Sequence, residues 1–276
     1  MTVPAIDLAA FGLTGAGVSW GVHVHDVGDD RCLVALYDDT VLATASVGKL
    51  LLLLETARQI DAGELRNDEM LTRLPEDQVA DSGLWQHLQV PALALGDVAG
   101  LVGAVSDNLA TNVLLRRVGL DAVSATSARL GLRVTALHDK VRDVRGPEHP
   151  AALSSGSAAE LATLFAGVAT GSALSPDVSS RVLTWLSPGV DLSMTASAFG
   201  LDPLAHLVPD RGVVVVNKTG TNTGVRCDVG MVAVDGRTLA FAVLANWDDA
   251  QSDERDAVLL AMRQFGREML RYLNAP

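Results

Sequence analysis

Two stretches of strand-like alternation stand at opposite ends of a chain whose middle reads as helix. Near the start, Val18, Trp20, Val22 and Val24 alternate with Ser19, Gly21, His23 and His25, the period of a half-buried strand. Gly28, Asp29 and Asp30 make a turn, and Cys32, Val34 and Leu36 resume the alternation, so residues 18–37 predict a β-hairpin. Near the end, Val213 to Val216 is a β-branched run. Val229 to Val234 and Leu239 to Leu244 are two more strands, joined by the hairpin dipeptide Asp235-Gly236. Five strands split between the two ends imply an α/β (α+β) architecture: one antiparallel sheet assembled from both termini, with flanking helices and a helical insertion. The boundaries fall near 45 and 190. Residues 1–45 and 190–276 then form the sheet domain and residues 46–189 an all-helical one, with a site at their interface.

Helical signals fill the middle. A helix starting at Ser46 runs to about Ile60 and stops at Asp61-Ala62-Gly63. Asp97 caps a helix through Val105. A second starts at Ser106-Asp107-Asn108 and ends at Gly119, and a third, capped by Asp121, ends at Gly131. Ser157 and Glu160 have the spacing of a capping box, ahead of an apolar run to Val168. Ser175-Pro176 opens a helix through Leu186 that Pro188-Gly189 stops. A short helix is also expected over residues 5–11, and an amphipathic helix from about Asp253 to Leu273. Residues 133–156 read as an irregular loop, and residues 64–95 and 190–210 show no clear period.

The 276 residues are 49% hydrophobic, enough for a sizeable core, and the net charge of −12 argues against nucleic acid and anionic membranes as partners. The first residues lack a charged segment followed by an apolar core, so the chain as written reads as cytoplasmic; a secreted protein trimmed of its leader would look similar. Cys32 and Cys227 do not make a disulfide framework and are expected free. His23 and His25 share a strand face without a third ligand nearby, so they read as a polar face. No zinc-ligand spacing occurs, and no metal or cofactor is expected.

Chemistry is concentrated in three short motifs. Ser46-Val47-Gly48-Lys49 runs into Leu50 to Leu54. On a helix, positions i and i+3 share a face, so the Ser46 hydroxyl and the Lys49 amine would meet on the first turn. Five consecutive leucines cannot lie on one side, so the helix should be buried all round. Burial disfavours the ammonium form of Lys49 and prepares it as a base for an adjacent Ser nucleophile. Ser106-Asp107-Asn108 follows, and then Lys218-Thr219-Gly220 at a strand end. Read alone, the second is a helix cap and the third the end of a strand.

Together and in this order, the three motifs resemble the signature of class A β-lactamases and penicillin-binding proteins. Ser106 to Leu115, the hairpin from Gly12 to Leu36 and the segment Lys218 to Val234 resemble the same family, so the likeness covers nearly the whole chain. The resemblance implies a β-lactamase/transpeptidase-like fold and a serine hydrolase. In it, Ser46 is the acylated nucleophile, Lys49 its base, and Ser106 the relay of a proton to the leaving nitrogen. Asn108 holds a substrate amide, and Lys218, Thr219 and Thr221, beside Gly220, take a substrate carboxylate. The backbone N–H groups of Ser46 and Thr221 form the oxyanion hole. Arg226 stands where the family often keeps a carboxylate-binding arginine. The implied partner is a small-molecule substrate, a β-lactam, peptide or ester with a carboxylate, and the chain is expected to be a monomer.

One departure matters. The family's water-activating Glu would fall near Val141 or Arg142, and neither is a base. Asp139, Asp143 and Glu148 lie nearby but outside the expected pattern, and read as solvated loop charges. Acylation and release of the acyl group therefore come apart. A β-lactamase-like hydrolase with slow release, a related DD-peptidase or esterase, and a non-catalytic binding module that captures β-lactams or peptidoglycan fragments are the three readings.

Overall fold

The computed structural model describes residue 6 and residues 17–209 and 211–275. In chain order the strands are β1 (Val18–Asp26), β2 (Arg31–Leu36), β3 (Leu42–Ala43), β4 (Met70–Thr72), β5 (Ala92–Ala94), β6 (Ala136–Leu137), β7 (Ser154–Gly156), β8 (Val213–Asn222), β9 (Val225–Val234) and β10 (Arg237–Trp247). The helices are α1 (Lys49–Asp61), α2 (Leu95–Val105), α3 (Asn108–Val118), α4 (Leu120–Arg129), α5 (Ala158–Thr170), α6 (Pro176–Leu186) and α7 (Arg255–Leu273). The helix expected over residues 5–11 falls outside the described residues, except for Ile6.

The large sheet has the order β2-β1-β10-β9-β8 and is antiparallel throughout. The two ends of the chain meet in its centre, where β1 pairs with β10 from Val18 opposite Trp247 to Asp26 opposite Leu239. Alternation then gives each face its own core. Val22, Val24, Val232, Phe241 and Val243 pack on Met262, Phe265 and Met269 of α7. The other face, including Cys227, Val229, Ala240 and Ala242, joins Leu161 and Phe165 of α5 and the leucines of α1 in one continuous cluster. Leu50 to Leu54 are all buried, because α1 is surrounded by α2, α3, α4 and α6.

Several helix starts differ from the sequence reading. Helix α2 begins at Leu95, two residues before Asp97, and α4 begins at Leu120, so Asp121 lies in its first turn. Ser157 does cap α5 by accepting from Glu160 N. The Glu160 carboxylate, however, turns away and accepts the N–H groups of Arg133 at 2.7 Å and Thr135 at 2.8 Å. The capping box is thus half formed, since three loop N–H groups compete for its acid. Residues 133–156 are mostly irregular, interrupted by the short strands β6 and β7. Both cysteines are free: Cys32 lies on the edge strand β2, and β1 and β10 separate it from Cys227 on β9. Among the described residues no helix is long and apolar enough to cross a membrane, and no group of three or more His, Cys, Asp or Glu is placed to hold a metal ion.

Candidate active site

The Ser46 segment leaves the sheet region as a 3-10 turn, Ala45–Gly48, and α1 starts only at Lys49. Beside it runs β8. Gly220 allows that approach: a Cβ there would stand 2.1 Å from Thr44 O. The third contributor is the junction between α2 and α3. Ser106 ends α2 with a left-handed backbone, φ 54°. Asp107 then caps α3, accepting from Ala110 N at 2.8 Å, while its other oxygen accepts from Leu84 N at 2.7 Å and Trp85 N at 2.8 Å.

These segments meet at one cleft of about 730 Å³, whose lining includes Ser46, Ser106, Asn108, Lys218, Thr219 and Thr221. Lys49 forms the floor beneath it, fully buried. Its Nζ donates to Ser106 O at 2.7 Å, Ser106 Oγ at 3.2 Å and Asn108 Oδ1 at 2.8 Å. Lys218 Nζ reaches the same hydroxyl, donating to Ser106 Oγ at 3.0 Å and to Thr219 O at 2.8 Å. One serine oxygen therefore bridges two buried amines. Burial, and then the neighbouring Lys218, drive the Lys49 pKa far below its ordinary value. Burial also lowers Lys218 to about 8, opposed by the nearby carboxylates of Asp191 and Asp228.

The expected contact between Ser46 and Lys49 is not a hydrogen bond in this structure. The amine is drawn instead to the three acceptors at the α2–α3 junction, and Ser46 lines the cleft without a side-chain hydrogen bond among the described residues. Arg226 stands outside the cleft lining. It pairs with Thr221 across β8 and β9, but its guanidinium bonds Asn222 O and Val225 O and lies 5.8 Å from the Trp247 ring centroid.

The three loop carboxylates separate clearly. Asp139 is engaged by Arg142 at 2.6 Å and Arg145 at 2.8 Å, which hold its carboxyl low against the opposing effect of burial. Glu148 pairs with His149 at 3.3 Å and does not line the cleft. Asp143 lines it, with one oxygen on Ala80 N at 2.8 Å. Val141 also lines the cleft, and its backbone N–H and C=O are both held by the Asn112 side chain, at 2.8 and 3.0 Å. Sequence reasoning missed Asn112, and it missed the walls supplied by residues 79–82 and 189–191. These are loop positions without a period, and only their pairing with distant segments gives them a place.

The sheet built from both ends and the helices folded between them define the β-lactamase/transpeptidase-like class. A family model for the β-lactamase enzyme family matches residues 6–273, and the chain belongs to that family. Membership implies a hydrolase. A β-lactamase of Streptomyces albus G is 27% identical over 258 residues, covering 89% of this chain and 78% of that protein. The crystal structure of a β-lactamase from Sphaerobacter thermophilus superposes with a TM-score of 0.82 at 27% identity, over 96% of each chain. The structure of PBP-A superposes at 0.81 with 22% identity over 98% of each chain, a likeness of fold.

Proposed function

We propose that the protein is a serine hydrolase that opens β-lactam-type amides through an acyl-Ser46 intermediate and releases the acyl group slowly. One observation carries the reading: the Ser106 hydroxyl lies between two buried amines, 3.2 Å from Lys49 Nζ and 3.0 Å from Lys218 Nζ, at the cleft that Ser46 lines. A hydroxyl oxygen that accepts from both amines keeps its own hydrogen for donation. Ser46 Oγ attacks the carbonyl carbon, and its proton passes to Lys49, whose pKa burial lowers well below its ordinary value. The N–H groups of Ser46 and Thr221 receive the developing oxyanion, a contribution worth about 10²–10³ in rate per donor. The C–N bond then breaks, and the nitrogen takes the Ser106 proton, which Lys49 replaces. Lys218, Thr219 and Thr221 bind a substrate carboxylate, and Asn108 bonds an amide.

Slow release follows from the residues near which the resemblance puts a carboxylate, Val141 or Arg142, neither of which is a base and both of which line the cleft. The test mixes the protein with a chromogenic cephalosporin and follows absorbance and intact mass together. The expected result is an adduct of one acyl group per chain that persists, with little turnover, and that is absent in Ser46→Ala. Absence of any adduct with β-lactams or activated esters refutes the proposal in favour of a binding module.

A further inference from the structure

The residue before Ser46 has an uncommon backbone. Ala45 has φ of +46°, in the left-handed region that L-residues other than Asn and Asp seldom enter. Such a conformation persists only where the surroundings impose it. Among those surroundings, one side chain bonds the Ala45 carbonyl directly. Ser154 on β7 is fully buried, and its Oγ donates to Ala45 O at 2.6 Å. The same oxygen lies 2.7 Å from Thr44 Oγ1. Ser154 has a single hydroxyl hydrogen, committed to Ala45 O, so Thr44 is the donor of that second bond. A third bond runs from Thr44 N to Ser154 O at 3.1 Å.

Ser154 also seats the start of α1. A Cβ on Gly48 would stand 2.3 Å from Ser154 Cβ, so glycine is what lets the turn settle on this residue. The left-handed residue and Gly48, which ends the nucleophile turn and caps α1, are thus referred to a single point on a strand 110 residues away from Thr44.

We infer that Ser154, assisted by Thr44, is a positioning residue for the nucleophile: it holds Ala45 left-handed and so aims Ser46 into the cleft. The inference rests on the reading of Ser46 as the acylated residue. Its hydroxyl touches no substrate and acts through the peptide between residues 45 and 46.

The test measures the rate of adduct formation by a chromogenic cephalosporin on the full chain, with the melting temperature of each variant recorded. Ser154→Ala should acylate about tenfold to a hundredfold more slowly, the range a small misplacement of a reacting group produces. Glycine adopts positive φ freely. Ala45→Gly added to Ser154→Ala should therefore restore much of the lost rate, which repair of a merely structural defect would not do. If Ser154→Ala does not fold, Thr44→Val and Thr44→Ser take its place, the first slow and the second close to the original rate. An adduct that forms equally fast in Ser154→Ala, or a slowed variant that Ala45→Gly fails to rescue, overturns the inference and leaves the hydrolase reading standing. Absence of adduct in the unmodified protein overturns both.

Discussion

Low dielectric disfavours an ammonium, and the site holds two lysines within hydrogen-bond reach of one hydroxyl. Their burial separates their roles. Lys49 bonds the backbone and hydroxyl oxygens of Ser106 and the amide oxygen of Asn108, and desolvation, then the charge of Lys218, lower its pKa well below the ordinary value against the pull of Asp107 and Asp81. Lys218 is buried too, but Asp191 and Asp228 pull its pKa back up to about 8. The pKa of Lys49 is lowered well below its ordinary value, which suits it to pass a proton on, and Lys218, at about 8, keeps the charge that holds an anion at neutral pH. The acylation rate constant kcat/KM should therefore rise with pH as Lys49 loses its proton and fall again above about 8 as Lys218 loses its charge. Arginine keeps its charge throughout, so Lys218→Arg, where it still acylates, should lose the alkaline limb. A profile of acylation rate against pH that stays flat through and beyond 8 contradicts this assignment of Lys218.

At the scale of elements, the site depends on how closely three of them approach. Asp107 joins two: it caps α3 and holds the N–H groups of Leu84 and Trp85. Asp107→Ala strands three backbone donors, and the two that are buried, at Ala110 and Trp85, cost about 1–3 kcal/mol each. It should lower the melting temperature strongly and slow acylation, because Ser106 and Asn108 flank it. Gly220 joins β8 to the nucleophile turn. Gly220→Ala puts a methyl 2.1 Å from a backbone oxygen that cannot rotate away, so the strand or the turn must shift. The expected stability loss is about 1–3 kcal/mol, the range for overpacking, with a larger proportional loss of acylation rate. A Gly220→Ala protein that acylates normally would show that the seam is looser than these contacts indicate. This scale also explains what was legible in the sequence. The five leucines of α1 and the alternating strands declare their burial by period, and the cap residues Asp107, Ser157 and Ser175 mark helix starts locally. The partners of Glu160, Asn112 and Ser154 do not. Each satisfies backbone groups of a segment at least twenty residues away, which no local pattern encodes. Ser46 misled for a related reason. It has the spacing of a helical pair with Lys49, but the amine finds three acceptors on another element and turns to them.

On the whole-molecule scale, the chain contributes to the cleft from both ends and the middle, and each part serves a separable half of the reaction. In the proposed reaction, the turn at Ser46, the α2–α3 junction and β8 hold the groups for acylation. The loop of residues 133–156 supplies another wall, to which Val141, Arg142 and Asp143 contribute, and in the proposed reaction this is where a water would be activated. That wall is rigidly placed. Asn112 of α3 grips both the N–H and the C=O of Val141, and Asp139, two residues earlier, is braced by Arg142 and Arg145. A new side chain at position 141 would thus project from a backbone already anchored to the helix that carries Asn108. Val141→Glu adds a carboxylate at this wall without altering Ser46, Lys49, Ser106 or Lys218. A general base in reach of the hydrolytic water contributes about 10²–10⁴ in rate. The acyl adduct of Val141→Glu should accordingly decay much faster than that of the unmodified protein, while its rate of formation changes little. Intact mass recorded after removal of excess cephalosporin gives both numbers. If the adduct of the variant lasts as long as the original, the missing carboxylate is not what slows release. If the unmodified protein already turns over rapidly, another group activates the water, and Asp143, the loop carboxylate that lines the cleft, is the one to replace next.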